Sequence, residues 1–144
     1  MQRLLNITAT KRNYCEEKRS NMIEGVQKVL LELGKSGCYF LSICQKLGKS
    51  LDETVDAYLY CVNHKFMDTN CYIRCPLEIV EYLTGEKFRY KYSVDGDPNA
   101  DIDVVKYIRN GQTHFVLEDW DSYGKDSAIR KYGTKDSHRL FYKI

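Results

Sequence analysis

Ser36-Gly37-Cys38-Tyr39-Phe40-Leu41-Ser42-Ile43 is the stretch of this sequence that decides the fold. Apolar residues recur along it at helical spacing, and Tyr39 and Leu41 make its other sides apolar as well. A short helix that is apolar nearly all round belongs in a protein core. The pattern therefore predicts a buried helix that begins at or near Cys38, after a loop formed by Gly34-Lys35-Ser36-Gly37.

Two capping boxes predict helices on either side of this stretch. Asn21 and Glu24 have the spacing of an N-cap and its N3 partner, and the apolar residues after them predict a helix that ends at Gly34. Ser50 and Glu53 have the same spacing. They predict a further helix that reaches about residue 64.

The second half of the chain is richer in strand signals. Pro76 is well placed as the first residue of a fourth helix that Gly85 ends. The apolar spacing between Ile102 and Ile108 predicts a short helix closed by Gly111. Alternation of apolar and polar residues predicts three strands, over residues 87–92, 113–118 and 138–143.

The order of these elements, helices first and then mostly strands, predicts an α+β domain with a segregated antiparallel sheet. A chain of 144 residues fits one domain, which we place at residues 21–144. Residues 1–20 carry five basic and two acidic groups, so they are interpreted as a solvated basic arm. No internal repeat or linker divides the rest.

Charge and hydropathy exclude several classes of partner. The net charge is +2 and no aromatic stacking platform accompanies the basic arm, so no nucleic-acid partner is expected. No apolar stretch approaches the roughly 18–20 residues that a membrane span needs, so no membrane partner is expected either.

The six cysteines are irregularly spaced in a chain without a recognisable secretory signal. This usage favours free thiols in a reducing, cytoplasmic compartment over a disulfide framework. Most of the six are expected to be small apolar core residues.

Cys38 differs from the other cysteines in its local context. A glycine-containing loop precedes it and a helix follows it. A thiol at a helix N-terminus feels the positive end of the helix dipole, which favours the thiolate, and nearby backbone N–H groups can hold an oxyanion. An ordinary buried cysteine at a helix start is the other interpretation of the same position.

His114 is the histidine that best fits a partnership with this thiol. It stands on the strand of residues 113–118, and several acids follow it: Glu118, Asp119, Asp121 and Asp126. A Cys–His pair needs a third polar group that fixes the imidazole tautomer. His138, which begins the last strand beside Arg139, is expected to be exposed and inert.

The run from Ser36 to Ile43, followed by Asn70-Cys71, Pro76 and the strand Thr113-His114-Phe115-Val116-Leu117, resembles the papain-like cysteine peptidases of bacteria and phages. More narrowly, it is similar to a small phage- and spirochaete-associated family of uncharacterised papain-like proteins. The resemblance spans about residues 25–144. It implies a papain-like fold and hydrolysis of a peptide, isopeptide or cell-wall amide without a cofactor or a metal.

The resemblance also implies a catalytic triad. Cys38 would be the nucleophile and His114 the general base, and Trp120-Asp121-Ser122-Tyr123-Gly124 matches the pattern around the third member, which assigns Asp121. Asp119 and Asp126 remain alternatives for that role. The family usually carries a glutamine about six residues before the cysteine, where this chain has Glu32.

Two other functions follow from the same residues. One is a papain-like module that has lost catalysis and binds or inhibits a host protein, since fold does not fix function. The other is a structural zinc site formed by Cys61, His64, Cys71 and Cys75, whose residue types suit tetrahedral zinc but whose spacing fits no common zinc pattern.

Overall fold

The computed structural model of this chain describes residues 25, 27–119 and 125–144, apart from the side chains of Lys125 and Asp126. Within these ranges the chain forms an α+β domain of five helices and a four-stranded antiparallel sheet. The predicted basic arm at 1–20 and the predicted capping box of Asn21 and Glu24 lie outside the described residues.

The elements follow one another with short connections. The helices are α1 (27–36), α2 (Cys38–Lys46), α3 (Leu51–Asn63), α4 (Pro76–Thr84) and α5 (Lys125–Tyr132). The strands are β1 (Phe88–Ser93), β2 (Ile102–Arg109), β3 (Gln112–Leu117) and β4 (Thr134–Lys143), and they lie in the order β1-β4-β2-β3.

The helices with strong local start and stop signals form as expected. The Ser50 hydroxyl accepts a hydrogen bond from the Glu53 backbone N–H, and the Glu53 carboxylate accepts one from the Ser50 N–H, which completes the capping box of α3. Pro76 is the first residue of α4, and Gly85 ends it in the left-handed conformation, with φ of 69°. Both helix predictions are confirmed.

The predicted helix over residues 102–108 is wrong, because this segment is strand β2. It lies between β4 and β3, and both of its faces are covered. Ile102 and Val104 belong to the core beneath the helices, whereas Val105 and Tyr107 belong to a second core cluster on the other face. A strand buried on both faces reads as a continuous apolar run, so its periodicity does not distinguish it from a buried helix.

The main core lies between one face of the sheet and helices α2, α3 and α4. Its fully buried members include Phe40 and Ile43 of α2, Ile79 of α4 and Phe141 of β4. The smaller cluster on the opposite face joins Val105, Tyr107 and Val116 to Ile129 of α5. None of the helices within the described ranges has the length and apolarity needed to cross a bilayer.

The junction of α1 and α2 differs from the predicted four-residue loop. Helical backbone continues to residue 36, and Gly37 alone interrupts it. The Gly37 N–H donates to the Leu33 carbonyl at 2.9 Å, and the Leu41 N–H donates to the Gly37 carbonyl at 2.7 Å. A Cβ on Gly37 would lie 2.5 Å from the Leu33 carbonyl oxygen. Glycine is therefore needed where α1 passes directly into the helix that carries Cys38.

A pair of alanine substitutions tests this requirement. Gly37→Ala should lower the free energy of unfolding by about 1–3 kcal/mol, because the new methyl group meets backbone atoms that cannot move independently. Gly34→Ala is the matched control: it lies in α1 with open space around it, so alanine should stabilise the protein by about 0.5–1 kcal/mol. Urea unfolding of both variants measures the difference, and equal effects would contradict the steric explanation.

Candidate active site

A cleft lies where α2 meets β3, an edge strand of the sheet. Its volume is about 1150 Å³. Cys38, at the start of α2, and His114, on β3, both line it. The two residues that the sequence singled out, 76 positions apart in the chain, therefore border the same space, which we call the Cys38 cleft.

Contacts between the sequence neighbours of these two residues hold α2 against β3. The ring of Tyr39 stacks on that of Phe115, with 4.5 Å between centroids and 21° between planes. The Ser42 hydroxyl lies 2.7 Å from the Cys38 carbonyl oxygen and 3.4 Å from that of Phe115. One helical turn thus contacts the strand at the residue next to His114, which sets the position of Cys38 along β3.

The edge position of β3 explains how His114 reaches the cleft. In the ladder His114 pairs with Tyr107, so alternation gives it the sheet face of Val116, opposite to Phe115. Among the described strands, none pairs with the outer side of β3. A cleft that follows this free edge is bordered by side chains from both faces, which is why Phe115 and His114 both line it.

Among the acids expected near His114, the structure describes two side chains, and both are in ion pairs. Glu118 pairs with Lys135 at 3.0 Å, and Asp119 pairs with Lys46 of α2. Asp121 lies outside the described residues, and the side chain of Asp126 is also not described. The assignment of the third triad member therefore stays a prediction.

Glu32 occupies a different cavity from Cys38. With Lys28, Tyr58 and Asn70 it lines a smaller cavity, and it is not among the described residues that line the Cys38 cleft. Glu32 stands where the resemblance expects an oxyanion-binding glutamine. Its carboxylate is therefore not part of the described lining of the candidate active site.

Two polar residues of the cleft were not singled out as site residues from the sequence. Asn70 lines it, and its Oδ1 accepts a hydrogen bond from the Tyr72 N–H at 3.1 Å, which leaves its NH₂ group as a donor. Arg139 lines it from β4, the second strand in from the edge. Asn70 belongs to the Asn70-Cys71 element of the resemblance but was given no role there, and the place of Arg139 in the cleft depends on the tertiary fold, which brings distant segments to α2.

Burial separates Cys38 from most of the other described cysteines, all of which are free thiols. Burial raises the pKa of Cys44 to about 11, of Cys61 to about 12 and of Cys71 to about 11. Cys38 and Cys75 are partly exposed. Cys75 precedes α4 and lines a separate pocket, so it is the natural comparison for Cys38 in reactivity experiments.

The four residues of the zinc hypothesis do not form a site. The described residues contain no group of three or more His, Cys, Asp or Glu side chains that is arranged to hold a metal. Cys61 is fully buried in the main core. His64 is exposed, and its ring stacks on Tyr60 with 3.9 Å between centroids.

The expectation that His138 is exposed is wrong. It is 3% exposed, and its Nδ1 lies 2.7 Å from Oδ1 of Asp103. Burial raises the pKa of Asp103, although the neighbouring imidazole acts in the opposite direction. Gly96 packs closely over the pair, since a Cβ there would lie 2.9 Å from the imidazole. Neither His138 nor Asp103 is among the described residues of the Cys38 cleft.

Comparison of this chain with protein-family models, with curated proteins and with solved structures gave no match.

The buried thiols make stability depend on pH in the alkaline range. The pKa of Cys61 is raised to about 12 in the folded protein, whereas that of an unfolded cysteine is about 8.5. The stability that the protonated Cys61 thiol contributes is therefore fully present below about pH 8.5 and is lost as the pH rises toward about 12. We expect the free energy of unfolding to fall between pH 8 and about 10, with Cys61 accounting for about 2 kcal/mol of the loss.

Urea unfolding at pH 7, 8, 9 and about 10 measures this loss. In Cys61→Ala the decrease should be smaller than in the wild type, whatever the substitution does to stability at pH 7. Cys75→Ser should show the full decrease, because Cys75 is partly exposed. The same slope in all three proteins would refute the assignment.

Proposed function

We propose that the protein is a papain-like cysteine hydrolase that cleaves an amide bond of a peptide or protein in the Cys38 cleft. Cys38 is the nucleophile and His114 the general base. The observation that carries this proposal is that a cysteine at the start of a core helix and a histidine on an edge strand line one cleft. The contact between Tyr39 and Phe115 supports it, because it fixes the neighbours of both residues.

The chemistry needs two steps. His114 accepts the thiol proton, and the Cys38 thiolate attacks the carbonyl carbon of the amide to give a tetrahedral oxyanion. Collapse of this intermediate breaks the C–N bond, and the protonated imidazole gives its proton to the leaving amine. Water, deprotonated by His114, then hydrolyses the thioester, which releases a carboxylic acid and restores the thiol.

Asn70 suits the role of oxyanion donor in this mechanism. Its Oδ1 is occupied by the Tyr72 N–H, so the NH₂ group is the end that is available to a ligand in the cleft. The start of α2 contributes a second favourable term, since a helix N-terminus stabilises nearby negative charge. Glu32 lines another cavity, so its carboxylate is not part of the described lining of the Cys38 cleft.

Alkylation of the thiols tests the dyad without knowledge of the substrate. We expect iodoacetamide to label Cys38 at about pH 6 at least tenfold faster than Cys75, because His114, as the proposed general base, takes the proton of the attacking thiol. His114→Gln should remove this advantage and leave the labelling of Cys75 unchanged. Peptide mapping by mass spectrometry after timed quenching gives both rates in one sample.

The same experiment identifies the alternative. If Cys38 is labelled no faster than Cys75 across the pH series, the chain is a binding or inhibitory module without a reactive thiol. Cys38→Ala provides the background for the mapping, and Cys75→Ser confirms that the comparison cysteine does not affect the candidate site.

The third member of the triad is tested by two asparagine substitutions. Asp121→Asn should keep the fold and lower amide hydrolysis by about 10³–10⁴-fold, because the imidazole loses the carboxylate that fixes its tautomer. Asp126→Asn should change hydrolysis little. Cleavage of a mixed peptide library, followed by mass spectrometry, measures both. The reverse result would transfer the role to Asp126, and no effect in either variant would argue against a triad.

A further inference from the structure

The charge of the Cys38 cleft is one-sided. The described residues that line it include Lys35, Arg74 and Arg139 but no aspartate or glutamate. Arg74 is neutralised from outside the lining by a bidentate pair with Asp68, with both N–O distances at 2.7 Å. Lys35 is exposed to solvent. Arg139 is thus the half-buried cation of this lining that no described carboxylate neutralises.

Arg139 is held in place by contacts other than a carboxylate. Its guanidinium lies over the ring of Tyr92 at 4.5 Å and over that of Phe115 at 5.7 Å. One Nη donates to the Ser137 hydroxyl at 2.8 Å. Asp136, which accepts from that hydroxyl, is itself paired with Lys106. No ion pair to Arg139 occurs within the part of the chain that the structure describes.

Two tyrosine hydroxyls lie near this guanidinium. Burial raises the pKa of Tyr39 and that of Tyr90, and the charge of Arg139 opposes the rise in both. The hydroxyl of Tyr39 is buried and has no hydrogen-bond partner among the described residues, and Tyr90 is one of the groups that act on it electrostatically. A buried hydroxyl without a well-aligned partner is costly, and a ligand group that accepts from it removes the cost.

We propose that Arg139, Tyr39 and Tyr90 form a subsite that binds a carboxylate of the substrate beside Cys38. A carboxylate accepts hydrogen bonds from a guanidinium and from hydroxyls, and it would neutralise the one half-buried cation of the described lining that lacks an ion pair. Tyr39 adjoins Cys38 in the chain, and Phe115, over which Arg139 lies, adjoins His114. The substrates of this site are peptides with a carboxylate, of a side chain or of a chain end, close to the scissile bond.

This inference rests on the proposed function, and affinity labels test it separately. Three labels are compared. Iodoacetyl-alanine has a terminal carboxylate, and iodoacetyl-glutamic acid α-amide has a side-chain carboxylate. Iodoacetyl-alanine amide is neutral. In each case the thiolate displaces iodide and forms a C–S bond. We expect one or both carboxylate labels to modify Cys38 about tenfold faster than the neutral label.

Arg139→Gln should abolish this preference, measured as the ratio of the carboxylate-label rate to the neutral-label rate in the same protein. Arg89→Gln is the matched control, because Arg89 also lies over a tyrosine ring of the sheet, Tyr142 at 4.2 Å, but lines a different pocket. Circular dichroism checks that each variant is folded. If Arg139→Gln is not, Tyr39→Phe, which keeps the ring on Phe115, should still lower the preference about threefold.

The outcomes separate the two proposals. Slow labelling of Cys38 by all three reagents, no faster than of Cys75, overturns the hydrolase itself. Fast labelling with no preference for either carboxylate, or a preference that survives Arg139→Gln, overturns the subsite alone. A preference for iodoacetyl-alanine assigns a chain end to the subsite, and a preference for the glutamic acid label assigns an acidic side chain.

Discussion

The stacking of Tyr39 on Phe115 is the contact on which the geometry of the candidate site depends. It joins the first turn of α2 to the edge strand of the sheet, and the Ser42 hydroxyl repeats the connection one turn later. An aromatic pair of this kind contributes about 0.5–1.5 kcal/mol beyond the area it buries, and it fixes distance and orientation together. Because its two members adjoin Cys38 and His114, a shift in this pair would separate the groups that line the cleft.

The main core supports this contact from below. Phe40 and Ile43 of α2 are fully buried, so the helix cannot rotate without exposing them. Gly37 lets α1 pass into α2 without a loop, which leaves the start of α2 little freedom. The edge strand is backed by α5 on the other face through Val116 and Ile129. The reactive positions therefore lie on rigid elements, as a site that must hold a defined geometry requires.

Local signals decided which parts of the fold the sequence could predict. The start of α3 depends on a capping box, and the ends of α4 depend on Pro76 and Gly85. These signals involve residues close together in the chain, so the sequence alone predicts them. The helix prediction for the β2 segment failed because helices cover this strand on both faces, so its apolar residues do not alternate with polar ones. Asn110-Gly111 was the missed signal: both residues have positive φ, 53° and 74°, the conformation of a tight hairpin turn.

The candidate site divides in the same way. Cys38 and His114 stood out because a helix start and an alternating strand give each a recognisable context. Asn70 and Arg139 were given no role from the sequence, since their place in the cleft depends on which segments the fold brings beside α2. The burial of His138 was missed for the same reason: its partner Asp103 lies on a neighbouring strand, 35 positions away in the chain.

The sheet order has a consequence for how the protein is made. β4 is the last of the described strands in chain order, yet it lies between β1 and β2 and pairs with both. Until its residues have left the ribosome, β1 has no partner and the inner edge of the β2–β3 hairpin is open. Phe88 and Val104, which are buried in the finished sheet, would then be exposed on an emerging chain. Such a chain presents unpaired strand edges and exposed apolar side chains to other nascent chains, and both features favour aggregation before the sheet is complete.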